Sequence, residues 1–419
     1  DLEVTLDKKI IKQIGAVSES DKRLSTNKER EFRTFVRRNR GTYFVGHNIV
    51  KHDINFFRDE KVKTLFKEDN IIDTLLLSTL LFSEKPYHSL IKDDKLKTEQ
   101  LNNPVNDSIN SRILFFDLVD EFNKTSENLK AIYFLLLKDI PGFKGFFKYL
   151  NYKANGNPVE LIKKTFEGKI CNNSDINGFI SSYKVELAYT LSLINTKKED
   201  SLFPAWVLKN YSKVEDILKK LRSTPCDNCN YCHENLNSVK ALEKHFGYPS
   251  FREFEGRSLQ KEAVEGALKD ESLIAVFPTG GGKSLTFQLP AIMNRFTTRG
   301  LTVVISPLQS LMKDQVDTLE EKNINVSVAI SGLLDPIQRK YAIDRVRDGS
   351  ANILYLAPES LRSITIEKLL LSRQISRFVI DEAHCFSTWG HDFRVDYLYI
   401  ADFIKKIQDI KALDYKIPV

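Results

Sequence analysis

Cysteine is scarce in this chain, five among 419 residues, too few for a disulfide framework. Glycine and proline are also sparse, 18 and 13, which excludes a collagen-like or low-complexity protein. Long apolar runs are missing: the longest, residues 75–82, is interrupted by Ser78 and Thr79 and falls well short of the roughly 20 residues that cross a bilayer. No membrane partner is therefore expected, and no signal-peptide pattern is visible. Neither sign of charge dominates, since 62 basic residues against 56 acidic ones leave +6, a mild lean toward polyanions that decides nothing by itself.

What is present, 42% hydrophobic and 28% charged residues, is the composition of a globular protein with length for two or three domains. Such cysteine usage suits a reducing compartment, hence a cytoplasmic location, nucleoid-associated in a bacterium or nuclear in a eukaryote. Asp1 lies in a strand-like run with no Met before it, and Lys416-Ile417-Pro418-Val419 stops where another strand begins. The expectation is a fragment of a longer protein.

Three stretches differ in pattern. Residues 1–122 alternate short apolar runs (14–17, 42–45) with helical segments carrying 75–81 and 113–122, an α/β reading. Residues 123–244 read as a mainly helical connector that contains four of the cysteines. In 245–419, runs apolar on both faces (273–277, 303–306, 353–356, 378–381) alternate with helix-like segments. That is the pattern of a buried parallel sheet, whose ligands bind at the carboxyl ends of the strands.

Two motifs fall at such ends. Pro278-Thr279-Gly280-Gly281-Gly282-Lys283-Ser284 follows one apolar run and precedes a helical stretch. Consecutive glycines let N–H groups turn inward around phosphate oxygens, Lys283 neutralises their charge and Ser284 offers a hydroxyl to Mg²⁺. About one hundred residues on, Asp381-Glu382-Ala383-His384 closes another run, where Asp381 can hold Mg²⁺ from the opposite side and Glu382 can polarise the attacking water.

From residue 246 to about 407 the sequence closely resembles the N-terminal RecA-like lobe of RecQ-like superfamily 2 DNA helicases. The resemblance rests on Gln260 in Arg257-Ser258-Leu259-Gln260, on 277–289, on 304–315, on Leu354-Tyr355-Leu356-Ala357-Pro358-Glu359 and on 381–397. It implies that Gln260 reads adenine, that Thr279, Gly280, Gly281, Gly282, Lys283, Ser284 and Asp381 bind Mg-ATP, and that a second RecA-like lobe follows Val419. Cys385-Phe386-Ser387-Thr388-Trp389-Gly390-His391-Asp392-Phe393-Arg394 resembles the aromatic-rich loop that couples single-strand binding to hydrolysis in that family. Phe386, Trp389 and Phe393 offer faces for base stacking, and His391 and Arg394 supply polar and cationic contacts.

At the other end, Asp1 and Glu3 at i and i+2 point to one face of a strand and could grip one cation. Asp53 supplies a third carboxylate, His88 an imidazole and Asp107 a fourth carboxylate at the head of a helix; Asp93 is the competing choice for the last. The order resembles the DnaQ-like DEDDh 3′–5′ exonucleases, which implies an RNase H-like fold over 1–122. It also implies two ions of Mg²⁺ (or Mn²⁺) held by Asp1, Glu3, Asp53 and Asp107, with His88 as general base. His47 and His52 read as structural.

Cys226-x2-Cys229-x2-Cys232 has ligand spacing, with Cys171 as the natural fourth ligand and His233 or His245 as substitutes. Zn²⁺ and an iron–sulfur cluster both remain open. Read together, the chain is an α/β protein pairing a nuclease domain with a helicase lobe, as Werner-type proteins do. Its expected partners are single-stranded and duplex DNA. The rivals are an RNA helicase, or a helicase whose first domain is an inactive nucleic-acid-binding module.

Overall fold

The computed structural model describes every residue except 6–9, 40–41, 86–87, 89–102, 227, 279, 333, 386–390 and 414, and the backbone alone for 391–395. The chain divides into two compact units: Asp1–Thr165 with Ile180–Ser192, and Phe166–Phe179 with Leu193–Val419.

In the first unit β1 (Leu2–Val4), β2 (Ile11–Val17) and β3 (Arg23–Thr26) form an antiparallel sheet in that order, and β4 (Phe44–Gly46) pairs in parallel with β5 (Ile71–Asp73). Helix α1 (Glu29–Arg38) buries Phe32 and Val36, one turn apart, against Leu2, Ile14, Phe57 and Val62. The chain continues through α2 (Glu60–Lys63), α3 (Thr74–Leu81), α4 (Pro104–Lys124), α5 (Glu127–Leu137), α6 (Lys144–Tyr149) and α7 (Pro158–Thr165). Helix α3 begins where the Asp73 carboxylate accepts the N–H groups of Leu75 and Leu76. Helix α4 begins where the Asn103 side chain accepts the Val105 N–H and Pro104 fills the first turn, whose N–H would be unpaired in any case.

After α8 (Ile176–Ser182) and α9 (Lys184–Asn195), the second unit runs through α10 (Ala205–Asn210), α11 (Lys213–Arg222), α12 (Asn230–Asn235), α13 (Ser238–Phe246), α14 (Leu259–Leu268) and α15 (Leu285–Phe296). Its sheet is wholly parallel, in the order β7 (Ser327–Ile330), β8 (Ile353–Leu356), β6 (Leu301–Ile305), β9 (Ile375–Ile380). The connecting helices are α16 (Gln309–Glu321), α17 (Pro336–Asp348) and α18 (Ile364–Leu371), and α19 (His391–Lys411) follows β9. Both faces are covered, as both-sided apolar strands require. Leu301, Val303, Ile305 and Leu354 pack with Val346, Ile366, Tyr397 and Phe403, while Val304, Ile353 and Tyr355 pack with Ile292, Met312 and Leu319.

One expected strand is not formed. Phe378 donates its N–H to Pro418 O (3.0 Å) and Leu273 donates to Val419 O (3.0 Å), so residues 418–419 lie between β9 and Leu273. Beyond Leu273 the run 274–277 has no ladder among the described residues, and Ile274 and Val276 are 93% and 81% exposed. A strand is defined by its neighbour as much as by its own apolar residues.

In the second unit the Lys411 ammonium on α19 meets Glu215 on α11 at 3.1 Å with side-chain exposures of 5% and 2%, and also donates to Arg373 O. Removing one partner strands a buried charge, at a cost of about 3–5 kcal/mol. Lys411→Met is expected to lower the unfolding free energy by that amount in urea titration, and adding Glu215→Leu is expected to recover most of it.

Candidate nucleotide and metal sites

The loop between Pro278 and α15 turns twice through the left-handed region, at Gly280 (φ 72°) and Gly282 (φ 74°), conformations that glycine alone takes without strain. A Cβ on Gly282 would also come within 2.5 Å of Gln260 Nε2. That amide donates to Gly282 O (3.1 Å), and Gly281 N–H closes the turn on Pro278 O (2.9 Å). Arg252 clamps both pieces: its N–H donates to Gln260 Oε1 (3.1 Å) and its guanidinium to Gly280 O (3.0 Å). Helix α15 starts directly after Ser284, so its positive end faces the loop, and its first N–H groups bond back to it, Leu285 to Gly282 O (3.2 Å) and Thr286 to Lys283 O (3.0 Å).

Across from the loop, β9 ends and the Asp381 N–H still bonds to Ile305 O (2.9 Å). Asp381 accepts the Glu382 N–H (2.9 Å) and the Ser306 hydroxyl (3.4 Å), and burial pushes its carboxyl above the usual range. Glu382 sits at φ 51°, a strained geometry for a residue with a side chain. Its Oε1 lies 3.9 Å from Lys283 Nζ and its Oε2 3.0 Å from His384 Nδ1. The two motifs therefore meet at the carboxyl ends of the parallel strands.

Beside them lies a cavity of about 390 Å³ whose lining includes Phe246, Tyr248, Arg252, Gln260, Ser284 and Gln288. An aromatic and amide-lined hollow next to a phosphate loop has the chemistry to take a flat heterocyclic base. Tyr248, Arg252 and Gln288 were not anticipated. The available signal was Phe246-Gly247-Tyr248-Pro249-Ser250-Phe251-Arg252, an aromatic and basic run just ahead of Gln260. Thr279, Phe386 and Trp389 lie outside the described residues, and the side chains of His391, Phe393 and Arg394 do too.

In the first unit Gly15 decides the geometry. A Cβ there would come 2.0 Å from the Pro104 carbonyl carbon, so only glycine lets β2 touch the start of α4. The contact is sealed by Ser108, whose hydroxyl donates to Gly15 O (2.9 Å) and lies 3.2 Å from the Asp1 backbone nitrogen. Asp107, in the first turn of α4, is thereby brought to β1. The backbone nitrogen of Asp1 is buried and feels the charges of Asp53 and Asp107, so these three residues share one electrostatic neighbourhood. Asp53 is buried, with one oxygen 2.8 Å from His52 Nδ1 and its Oδ2 without a hydrogen-bond partner among the described residues.

Glu3 stands apart, drawn to Lys12 Nζ at 2.9 Å. Among the described residues the four carboxylates do not close into one ligand sphere, as like charges separate unless a cation draws them together. Asp93 lies outside the described residues. His88 is buried, its Nδ1 2.7 Å from Ser78 Oγ and its Nε2 without a partner among the described residues. His52, read as structural, is the imidazole bonded to Asp53, which raises it, while His47, also read as structural, is lowered chiefly by burial. Asp73, unremarked in the sequence, is a buried brace: its carboxylate accepts N–H bonds from Asn48 (3.0 Å) and Val50 (3.1 Å), and desolvation raises it to about 6.

The cysteines do converge. The sulfurs of Cys171, Cys226, Cys229 and Cys232 all lie within 4.8 Å of one another, and all but Cys226 are buried. Burial pushes the Cys171 and Cys232 thiols up, whereas N–H donors from Cys232 and Asn172 outweigh burial at Cys229 and bring it down. His233 is exposed and pairs with Glu234, and His245 stacks on Phe296 (5.6 Å, 12°), so neither substitutes.

Residues 257–413 match the family model of the DEAD/DEAH box helicases. The chain is 39% identical over 168 residues to the probable ATP-dependent DNA helicase RecS of Bacillus subtilis, covering 40% of this chain and 32% of that protein. It is 40% identical over 178 residues to the ATP-dependent helicase SGS1 of Saccharomyces cerevisiae, 41% of this chain and 12% of that one. To the ATP-dependent DNA helicase RecQ of Bacillus subtilis it is 39% identical over 176 residues, 42% and 28%. The chain thus spans about a third or less of the curated relatives it matches.

Burial, above all, lowers His47 and His88 from 6.5 to about 4. Between those values the unfolded chain binds more protons than the folded one, so stability is fully present above pH 6.5 and falls as pH drops toward 4. Stepped-pH denaturation of the protein is expected to show this loss, and imidazole NMR to show both rings neutral at pH 6.

Proposed function

We propose, from the match of residues 257–413 to the DEAD/DEAH box helicases and from their similarity to RecQ-type helicases, that the chain is part of a DNA-processing enzyme. In this reading it couples ATP-dependent 3′–5′ DNA unwinding to 3′–5′ exonucleolytic cleavage, in repair or recombination. The observation that carries the motor half is Lys283 of the glycine loop facing Glu382 at the end of β9, 3.9 Å away.

In the motor, the loop N–H groups and Lys283 take the β- and γ-phosphates of ATP. Tyr248, Arg252 and Gln260 hold the base in the adjoining cavity. Ser284 and Asp381 are the residues that would hold Mg²⁺ (or Mn²⁺), which when bound neutralises phosphate charge as the terminal bond breaks. Once a phosphate takes Lys283, Glu382 is released to orient the attacking water and accept its proton. Phe386, Trp389 and Phe393 stack bases of the single strand, with His391 and Arg394 on its backbone.

The nuclease half is supported by the unpartnered Asp53 Oδ2 and by Asp1 and Asp107 in the same electrostatic neighbourhood. Asp1, Glu3, Asp53 and Asp107 would hold divalent cations, which when bound supply the hydroxide and stabilise the leaving oxygen. His88, neutral near pH 7 because burial lowers it to about 4, takes the proton.

Two measurements on the full-length protein test the halves separately. Lys283→Ala or Glu382→Gln is expected to cut DNA-stimulated ATP hydrolysis about 10²–10³-fold; stimulation by RNA in place of DNA would overturn the substrate. Asp53→Asn is expected to abolish Mg²⁺-dependent nucleotide release from a 3′-recessed duplex while sparing ATP hydrolysis. Silence of the unmutated protein in that assay means an inactive DNA-binding module.

A further inference from the structure

We propose that Cys171, Cys226, Cys229 and Cys232 hold a single tetrahedral zinc ion that clamps the motor unit and props one wall of the nucleotide cavity. The spacing of the sulfurs selects the metal. Cys171 and Cys226 stand 3.5 Å apart, Cys171 and Cys229 4.0 Å, and no pair exceeds 4.8 Å. A tetrahedral ion with bonds of about 2.3 Å sets its sulfurs about 3.8 Å apart. An iron–sulfur cluster puts several metal atoms between its thiolates and spreads them wider. The donor set is all sulfur, which suits zinc and not magnesium or calcium.

The scaffold around the sulfurs is built. Cys229 caps α12, and its sulfur accepts the Cys232 N–H at 3.4 Å. Cys171 donates its own N–H to Leu221 O (2.7 Å) at the end of α11, and Tyr231 OH donates to Arg222 O (2.7 Å) one residue on. Ser174 Oγ also donates to Lys220 O (3.1 Å), so the segment carrying Cys171 is tied to α11 at both backbone and side chain, and Tyr231 ties α12 to the same helix end. From α12 the chain passes through the Asn237 cap into α13. Leu242 of α13 packs with Leu289 and Met293 of α15, the helix that springs from the phosphate loop. Phe246 and Tyr248, at and just past the end of α13, line the cavity. Loosening the four-sulfur corner therefore loosens the cavity wall.

The test uses the full-length protein purified without chelator. Elemental analysis is expected to give one zinc per chain and no iron, and cobalt exchange the visible spectrum of a tetrahedral thiolate site. Iron with acid-labile sulfide, or a metal-free protein of undiminished stability, overturns the proposal. Removing zinc, or Cys226→Ser at the partly exposed ligand, is expected to lower the melting temperature by about 10 °C. Zinc removal is also expected to weaken binding of a fluorescent ATP analogue several-fold, with recovery when zinc is restored. Unchanged affinity overturns the coupling to the cavity. That last arm rests on the ATP-binding reading and the metal analysis does not. Zinc without any nucleotide binding in the unmutated protein therefore defeats the function, whereas nucleotide binding that ignores zinc defeats the clamp.

Discussion

A cation on one loop held opposite a carboxylate on another organises the second unit: Lys283 and Glu382 stand 3.9 Å apart although 98 residues lie between them in the sequence. The parallel sheet fixes the acidic side of this pair, since β9 ends at the rim and delivers Asp381 and Glu382 there, while the glycine loop reaches the same rim from a run that has no ladder of its own among the described residues. The glycines bring backbone donors to that rim, and Arg252 and Gln260 stiffen the loop before any ligand arrives. Strain at Glu382 and burial at Asp381 mark the opposite wall as a place where structure yields to chemistry.

The first unit works by a comparable close approach, made with one missing methyl group. Gly15 lets α4 begin against β2, and Ser108 fastens the contact, so that a residue of the fourth helix and the first residue of the chain face each other. Asp73 braces the neighbouring turn from within, holding residues 48–50 and the start of α3 with one buried carboxylate. These contacts surround Asp53, whose Oδ2 has no hydrogen-bond partner among the described residues.

Much of this was legible in the residues, and the exceptions have physical causes. The run 353–356 is a strand over those same residues because it is apolar on both faces and has neighbours on both sides. The similar run 274–277 is not, since pairing depends on a partner that no local pattern encodes. Ligand spacing found the thiols, and the fourth ligand was readable because Cys171 is the remaining cysteine outside the helicase motifs. Arg252 and Tyr248 escaped because they sit in an irregular segment, where neither helical nor strand periodicity marks a side chain as facing a cavity.

Hydrogen–deuterium exchange of the full-length protein with and without a non-hydrolysable Mg-ATP analogue tests the central apposition most directly. Protection confined to 246–260, 278–286 and 380–385 is the predicted result. Protection elsewhere, or none at saturating nucleotide, would contradict it.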